Sequence, residues 1–267
     1  MRKNVLITGA TGGIGKELCR QFAGHGYDVV LTGRSELRLS ELSKKLQEEY
    51  AVNAFYFACD FLNPSACEEL YRELKRQNIE IDILCNNAGF GIYGDFLDNE
   101  LPAQQEMLEV NIRALTELCY FFGGDMRKRK SGRIINVSSI AGFMPGPYMA
   151  LYYASKAFIL SFTAALAKEL QPYHVSVCAL CPGIIQTPFY AKARADLRFS
   201  YLLRNMPPEP ANQFAEKAYR RLMNRHKTVV VIGLKNKILI LLSRLCRIRM
   251  TSGIVAWIQR KKQKNQE

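Results

Sequence analysis

Short apolar runs alternate with amphipathic segments along most of the chain. The runs predict strands near 4–8, 28–33, 53–59, 82–86, 133–138, 175–180 and 228–232. Apolar residues at helical spacing predict helices over 13–25, 36–50, 65–77, 102–126 and 152–171. Apolar strands that alternate with helices are typical of a parallel sheet covered on both faces. The pattern therefore predicts a doubly wound α/β fold.

The same pattern predicts how the chain divides. No repeat at a fixed period and no linker precedes residue 233, so residues 1–234 are expected to form a single domain. A long, proline-rich stretch without a clear pattern predicts a lid near residues 186–210. Residues 235–267 form a separate tail with helical patterning.

The basic charge of the chain is concentrated in that tail. Of the net charge of +13, residues 235–267 contribute +8, from nine Lys or Arg against one Glu. Such a local excess does not favour diffuse binding to nucleic acid. A broad apolar face and Trp257 lie beside these charges, but the uncharged stretches are too short to span a bilayer. The tail is therefore expected either to lie on an anionic membrane surface or to pack on the core or on a second subunit.

The cysteines argue against a metal site or a disulfide framework. The chain has eight cysteines, and Cys178 and Cys181 make the one C-x-x-C pair. There is no second pair, and the three histidines are remote from one another in sequence. Free thiols that lie mostly in the core indicate a reducing compartment, so we expect a cytoplasmic protein without a metal.

Polar or glycine-rich residues follow six of the predicted strands. They are Gly9 to Gly15, Gly33 with Arg34, Cys59 with Asp60, Asn86 to Gly89, Ser138 with Ser139, and Pro182 with Gly183. Because ligands of open parallel sheets sit beyond the carboxyl ends of the strands, these residues predict a ligand site. The first group could in principle cradle ATP, but Ala10 and Glu17 occupy positions that a P-loop reserves for Gly and Ser or Thr. The remaining candidate ligand is a dinucleotide whose phosphates lie at the N-terminus of the following helix.

With these motifs in place, the sequence resembles the short-chain dehydrogenase/reductase family from Lys3 to Ile232. The family's T-G-x-x-x-G-x-G motif is matched at Thr8, Gly9, Gly13 and Gly15, and its catalytic tetrad at Asn111, Ser139, Tyr152 and Lys156. Tyr152, unlike Tyr153, stands four residues before Lys156, and Ser139 lies thirteen before Tyr152. The doubled Gly12-Gly13 also fits the longer epimerase branch, although the chain length, NNAG and the serine spacing favour the short reductases.

The resemblance implies a Rossmann-type fold, a nicotinamide cofactor and a set of residues that bind it. In the family, the lysine of the tetrad also holds the nicotinamide ribose, and the asparagine anchors a water that relays protons to the lysine. The implied cofactor-binding residues are Gly9, Thr11, Gly13, Ile14, Gly15, Arg34, Asp60, Asn87, Ala88, Gly89, Tyr152, Lys156, Pro182, Gly183, Ile185 and Thr187.

The residue types fit carbonyl reduction independently of the family. A ketone that accepts hydride develops alkoxide charge and needs a proton donor, but a free tyrosine, with a pKa of about 10, is a weak acid. Lys156, one helical turn from Tyr152, can stabilise the phenolate. Ser139 can donate a hydrogen bond to the carbonyl oxygen.

Arg34 indicates which nicotinamide cofactor is used. Relatives that prefer NAD usually carry a carboxylate at the end of the second strand, where this chain has Gly33 followed by Arg34. A guanidinium there offers a bidentate partner to the 2'-phosphate of NADP(H). Many NADP-binding relatives carry a further basic residue before Gly13, where this chain has Gly12.

Together these features predict an NADPH-dependent oxidoreductase acting on a carbonyl or alcohol of an apolar, steroid- or lipid-like substrate. We expect a homo-oligomer, cytoplasmic or peripheral on the cytoplasmic membrane face, that does not bind nucleic acid. The alternative is a non-catalytic NADP-sensing or membrane-associated scaffold, which would have no need of a proton donor.

Overall fold

A parallel sheet forms the centre of the fold in the computed structural model, which describes residues 2–189, 208–224 and 227–260. The strands in these residues are β1 (Asn4–Thr8), β2 (Asp28–Gly33), β3 (Ala54–Ala58), β4 (Ile83–Asn86), β5 (Gly132–Val137), β6 (Val175–Cys181), β7 (Ile185–Gln186), β8 (Glu209–Pro210) and β9 (Val229–Val231). Seven of them pair in parallel in the order β3-β2-β1-β4-β5-β6-β9. β7 and β8 make a separate two-stranded parallel sheet. The strand order reverses between β1 and β4, which is where such sheets bind ligands.

Helices cover both faces of the sheet. They are α1 (Gly13–Gly24), α2 (Glu36–Tyr50), α3 (Ala66–Arg76), α4 (Leu101–Leu108), α5 (Leu115–Arg129), α6 (Ala150–Leu170), α7 (Ala211–Asn224), α8 (Leu234–Leu245) and α9 (Ile248–Arg260). Side chains of α1, α2 and α7 share one buried cluster with the sheet, and those of α3, α5 and α6 share another. The predicted doubly wound α/β fold is confirmed.

The apolar pattern of the sequence is explained by these two layers. β2 is buried at all six positions, as expected for a strand covered on both faces. On α1 the fully buried Leu18 and Phe22 are four residues apart, and Phe22 packs edge-on against Tyr219 of α7 with ring centroids 5.2 Å apart. Each helix thus buries one stripe, and burying a large apolar side chain stabilises the fold by about 1.5–3 kcal/mol.

The single helix expected over 102–126 is interrupted. α4 and α5 are separated by a π-helical turn, Glu109–Ala114. Short π segments inside α-helices are rare and often occur at functional sites. This one contains Asn111, whose side chain is completely buried. Periodicity alone did not indicate the extra residue, because the apolar pattern continues through the turn.

A buried polar network joins the central strands to α6. Asn86 Nδ2 donates to Asn136 Oδ1 (2.9 Å), and Asn136 Nδ2 donates to Thr163 Oγ1 (3.0 Å). These residues tie together β4, β5 and α6. Since an unpaired buried polar group costs about 1–3 kcal/mol, the network fixes how α6 sits on the sheet.

The C-terminal region continues from β9 into α8 and α9. Asn236 of α8 donates to the carbonyl of Ile232 (2.7 Å) and is buried against Gly183. The tail therefore begins packed on the core. Most of the predicted lid, residues 190–207, lies outside the described residues, and the division at residue 234 stays a prediction. The eight cysteines are free thiols, seven of them buried.

Candidate active site

Two loops meet at the point where the strand order reverses. Thr8 Oγ1 accepts the backbone N–H groups of Asn87 and Ala88 (2.9 Å each), and Asn87 Nδ2 donates to the carbonyl of Thr8 (2.9 Å). These bonds join the end of β1 to the end of β4. Asn87 and Ala88 therefore hold the glycine loop in place, in addition to any contact with a cofactor.

The glycine loop forms a close-packed backbone cradle at the N-terminus of α1. A Cβ on Gly15 would lie 2.3 Å from the carbonyl oxygen of Gly9, and one on Gly13 would lie 2.3 Å from Thr187 Cγ2. Side chains are excluded at both positions, because the backbone of Gly9 and the Thr187 side chain pack directly against them. The N-terminus of α1, whose N–H groups and dipole favour a phosphate, lies in this loop. Thr11 and Ile14 lie partly exposed beside them. The residues present fit the pyrophosphate of a dinucleotide.

The end of β2 presents positive charge next to this cradle. Arg34 is exposed, and its side chain has no hydrogen bond or ion pair with any described residue. Ser35 caps α2 by accepting the backbone N–H of Arg38 (3.5 Å). Arg38 is a second exposed cation. The sequence motifs did not indicate it, because it lies within the apolar and polar pattern of α2. Asp60, in contrast, accepts the N–H of Leu62 (3.1 Å), which is the geometry of a turn residue.

Lys156 is a buried cation at the centre of the site. Its side chain is 5% exposed, and Nζ donates to the carbonyl of Val137 (3.0 Å). Nζ lies 5.7 Å from the centroid of the Tyr152 ring. Burial lowers the pKa of Lys156 to about 8, so the ammonium form still predominates at neutral pH.

Asn111 braces the loop after β4 against α6. Its Oδ1 accepts from the N–H of Phe90 (3.0 Å), and its Nδ2 donates to the carbonyl of Phe90 (3.0 Å) and to Ser155 Oγ (3.1 Å). Ser155 Oγ in turn donates to the carbonyl of Tyr152 (2.7 Å). Asn111 thus positions the helical turn that carries the tyrosine. The water relay implied by the family stays a prediction.

The two adjacent serines have different roles in the structure. Ser138 Oγ donates a hydrogen bond to the carbonyl of Lys156 (2.8 Å), which connects the end of β5 to α6. Ser139 Oγ accepts the N–H of Ala141 (3.1 Å), at the start of the 3₁₀ turn Ile140–Phe143. That bond uses a lone pair, so the Ser139 hydroxyl keeps its proton for another acceptor. This geometry favours Ser139 as the group that would bind a carbonyl oxygen.

Apolar side chains surround Tyr152. Its ring centroid lies 5.4 Å from that of Phe189, and a Cβ on Gly91 would come within 3.1 Å of the Tyr152 and Phe189 rings and 2.9 Å of Met149. Phe189 follows β7 and Met149 directly precedes α6, and motif spacing gave no signal for either. Tyr152 therefore lies at an apolar opening with Lys156 behind it.

The loop after β6 packs against the glycine loop and against the turn after β5. The carbonyl of Pro182 accepts from Ile140 N (2.9 Å), and Ile185 is buried in the core. Thr187 Oγ1 accepts from Phe189 N (3.4 Å) and covers Gly13. Tertiary structure thus brings the ends of β1, β4, β5 and β6 together around one cleft. Arg34 and Asp60 follow β2 and β3, toward one edge of the sheet.

Comparison with known proteins agrees with this geometry. The family model described as short chain dehydrogenase matches residues 3–198. The 3-oxoacyl-[acyl-carrier-protein] reductase of Aquifex aeolicus is 33% identical over 196 residues, which cover 73% of this chain and 79% of the reductase. The 7beta-hydroxysteroid dehydrogenase of Mediterraneibacter gnavus is 29% identical over 212 residues, or 79% of this chain and 75% of the dehydrogenase.

A solved structure extends the likeness over most of the fold. The short-chain dehydrogenase from Sphingobium yanoikuyae in complex with NADPH superposes with a TM-score of 0.80 and is 28% identical. The match covers 91% of this chain and 93% of that protein. The matching family model, the similar sequences and the shared fold show that this chain belongs to the short-chain dehydrogenase/reductase family and is an NAD(P)-dependent oxidoreductase.

Proposed function

We propose that the protein is an NADPH-dependent oxidoreductase that transfers hydride to or from a carbonyl or alcohol of a hydrophobic, steroid- or lipid-like substrate. The observation that carries this proposal is the arrangement around Tyr152. A buried lysine ammonium lies behind its ring, a serine hydroxyl with an available proton follows β5, and apolar side chains form the opening.

Each member of this arrangement has a role in reduction. The Ser139 hydroxyl donates to the carbonyl oxygen and orients it, while Tyr152 donates the proton as negative charge develops there. Lys156 stabilises the phenolate that remains, because its charge is poorly screened in a buried site. NADPH, when bound, supplies the hydride. In the reverse direction Tyr152 accepts the proton from the alcohol.

The charges at the end of β2 support NADP(H) over NAD(H). Arg34 is exposed without a partner among the described residues. The end of β2 has Gly33 and Arg34 at the position where a carboxylate would repel a 2'-phosphate. The N-terminus of α2 and Arg38 add positive potential at the same end, which Glu36 in the first turn of α2 partly offsets. The complex of the Sphingobium relative with NADPH supports the same choice.

Two features support an apolar substrate. Among the described residues, the wall beside Tyr152 includes Phe189, Met149 and the backbone of Gly91. Two relatives are named for a 3-oxoacyl and a hydroxysteroid substrate, both mainly hydrocarbon. The non-catalytic scaffold is less well supported, because it leaves the buried ammonium and the tyrosine without a function.

We also infer that α8 and α9 dock on an anionic membrane. Both helices present apolar side chains to solvent, each about half exposed or more, and we call this the lipid-facing surface: Leu234, Ile238, Leu241, Leu242, Leu245, Ile248, Met250, Ile254 and Trp257. The surrounding segment carries the concentrated positive charge. Apolar area beside basic residues matches a bilayer interface with anionic headgroups.

A different face supports a homo-oligomer. By length and composition one described helix could cross a membrane, Ala150–Tyr173, and 22% of its most apolar window is buried. It contains Tyr152 and the buried Lys156, so we interpret it as a core helix with an unpartnered apolar side. Phe158 is exposed there, and its ring stacks on that of the partly buried Phe162 with centroids 5.8 Å apart. A second subunit is the occupant that we expect on that side.

Replacing Arg34 with Ala should weaken NADPH binding about 10- to 100-fold and leave NADH binding nearly unchanged, because it removes a charge-assisted phosphate contact. Titration of both cofactors by intrinsic fluorescence measures the effect. Arg220→Ala, an exposed arginine on α7 that pairs with Glu216, is the control. Equal losses for the two cofactors would contradict the assignment.

Replacing Tyr152 with Phe should lower turnover of an apolar ketone by about 10²- to 10⁴-fold with NADPH affinity retained, since only the proton donor is lost. Steady-state NADPH oxidation across a ketone panel measures turnover. Tyr120→Phe, at an exposed position on α5, is the matched control. Near wild-type turnover in Tyr152→Phe would show that another group is the acid, and an inactive wild type would favour the scaffold.

Replacing Lys156 with Met should abolish turnover and change how stability depends on pH. The folded-state pKa of Lys156 is lowered to about 8 from a usual value of 10.5, so its charge destabilises the fold below about pH 8. In the wild type this penalty is relieved as pH rises from 8 toward 10.5. The variant's free energy of unfolding relative to wild type should therefore fall by about 2 kcal/mol from near pH 7 to near pH 9.5. Urea unfolding at both pH values tests this, and a constant difference would contradict the buried charge.

Replacing Leu241 and Leu245 with Ser should reduce binding to vesicles that contain phosphatidylserine, since it removes apolar area from the lipid-facing surface. Sedimentation and the emission of Trp257, the one tryptophan of the chain, measure binding. High salt should also release the wild type, because each basic residue near the surface contributes about 1 kcal/mol.

Leu37→Ser, on an equally exposed leucine of α2, is the control for this experiment. If the wild-type protein does not bind the vesicles at low salt, the membrane proposal is wrong. If light scattering instead shows that the double variant loses a dimer, the lipid-facing surface is a subunit contact.

A further inference from the structure

The helix α9 has two faces with different surroundings. Thr251, Val255 and Gln259 follow one another at four-residue spacing, which places them on one side of the helix. Thr251 and Val255 are buried, and Thr251 Oγ1 lies 3.4 Å from the carbonyls of Ser243 and Arg247. The opposite side belongs to the lipid-facing surface. The inner side is therefore the one that connects α9 to the rest of the molecule.

Gln259 connects this inner side to the candidate active site. Its Nε2 donates to the hydroxyl of Tyr153 (3.3 Å), and its backbone carbonyl accepts from the hydroxyl of Tyr93 (3.2 Å). The two tyrosines are 106 and 166 residues away along the chain. One residue of α9 thus holds both the first turn of α6 and the loop after β4.

Tyr153 is fixed in a tight position next to Tyr152. A Cβ on Gly146 would lie 2.3 Å from the Tyr153 ring, so the ring packs directly on the backbone of the loop before α6. Burial raises the pKa of Tyr153 to about 12, and its hydroxyl therefore stays protonated. Because Tyr153 directly follows Tyr152 in the first turn of α6, a shift of its ring moves the wall beside the proton donor.

Tyr93 belongs to the opposite side of the same opening. Gly94 N donates to the carbonyl of Tyr148 (2.9 Å), and the Tyr93 and Tyr148 rings lie 6.2 Å apart. Tyr148 has a φ of +64°, a conformation that is strained for a tyrosine and must be held by its surroundings. Segments 90–94 and 146–153 therefore meet beside Tyr152, and both are bonded to Gln259.

We propose that Gln259 is a positioning residue that sets the shape of the substrate entrance from the C-terminal helix. The inference rests on the proposed reduction of bulky apolar carbonyls and identifies what determines their fit. It also places the entrance under the helix whose other side forms the lipid-facing surface.

The test replaces Gln259 with Leu, which keeps the size of the side chain and removes the donor to Tyr153. Hydrogen exchange of segment 146–153 should become faster, because its bond to the Gln259 side chain is lost. Segment 90–94 is bonded to the backbone carbonyl of residue 259, which the substitution keeps, so it should be unchanged, as should the rest of α6. The KM for a bicyclic ketone such as 1-decalone should rise by about threefold or more, while that for cyclohexanone and the NADPH affinity stay as in the wild type.

Two further variants separate positioning from general loosening of the helix. Thr251→Val removes a hydrogen bond between α9 and α8 on the same inner side, and it should change neither segment nor the ratio of the two KM values. Tyr153→Phe should reproduce the effect of Gln259→Leu, and the double variant should be no worse than either, because both remove the same bond.

Unchanged exchange in segment 146–153, or equal KM changes for the two ketones, would overturn the proposal. An effect of Thr251→Val as large as that of Gln259→Leu would also overturn it. If the wild type reduces neither ketone, the proposed function fails by itself, and the exchange measurement alone then decides whether Gln259 holds the entrance.

Discussion

The buried ammonium of Lys156 is the constraint on which the rest of the site depends. A cation removed from water is costly unless the protein supplies partners, and here the carbonyl of Val137 accepts from it. Ser138 holds the backbone of the same residue, and Asn111 holds the adjoining turn through Ser155. The strand ends and the first turns of α6 therefore converge on one charge. We propose that this charge is what allows Tyr152 to act as the proton donor.

The doubly wound sheet makes such convergence feasible. Parallel strands bring all their carboxyl ends to one edge, so groups that are far apart in sequence become neighbours. The network from Asn86 through Asn136 to Thr163 then fixes α6 against β4 and β5. A rigid platform matters because a proton donor works only if its oxygen stays within hydrogen-bond reach of the reacting atom. Burying the cation destabilises the fold, but it places the charge where the proposed reaction needs it.

The C-terminal helices extend this platform toward the outside. α8 begins packed on the loop that follows β6, through Asn236 and Gly183. α9 then returns to the site, where Gln259 bonds Tyr153 and Tyr93. The same two helices also carry the exposed apolar side chains of the lipid-facing surface. One segment thus contributes to both features that we propose, the substrate entrance and the surface that meets lipid.

Taken alone, the sequence determined the fold class, the strand ends that carry chemistry and the tetrad spacing, because strand and helix periodicities and short motifs are local properties. The tertiary structure decided what depends on distant contacts. It gave Ser138 a structural bond and left the Ser139 proton available, and it interrupted the helix around Asn111 with a π turn. It also brought Gln259 to Tyr153 across 106 residues, a contact that periodicity cannot reveal, since hydrogen bonds between remote segments exist only once the sheet has assembled.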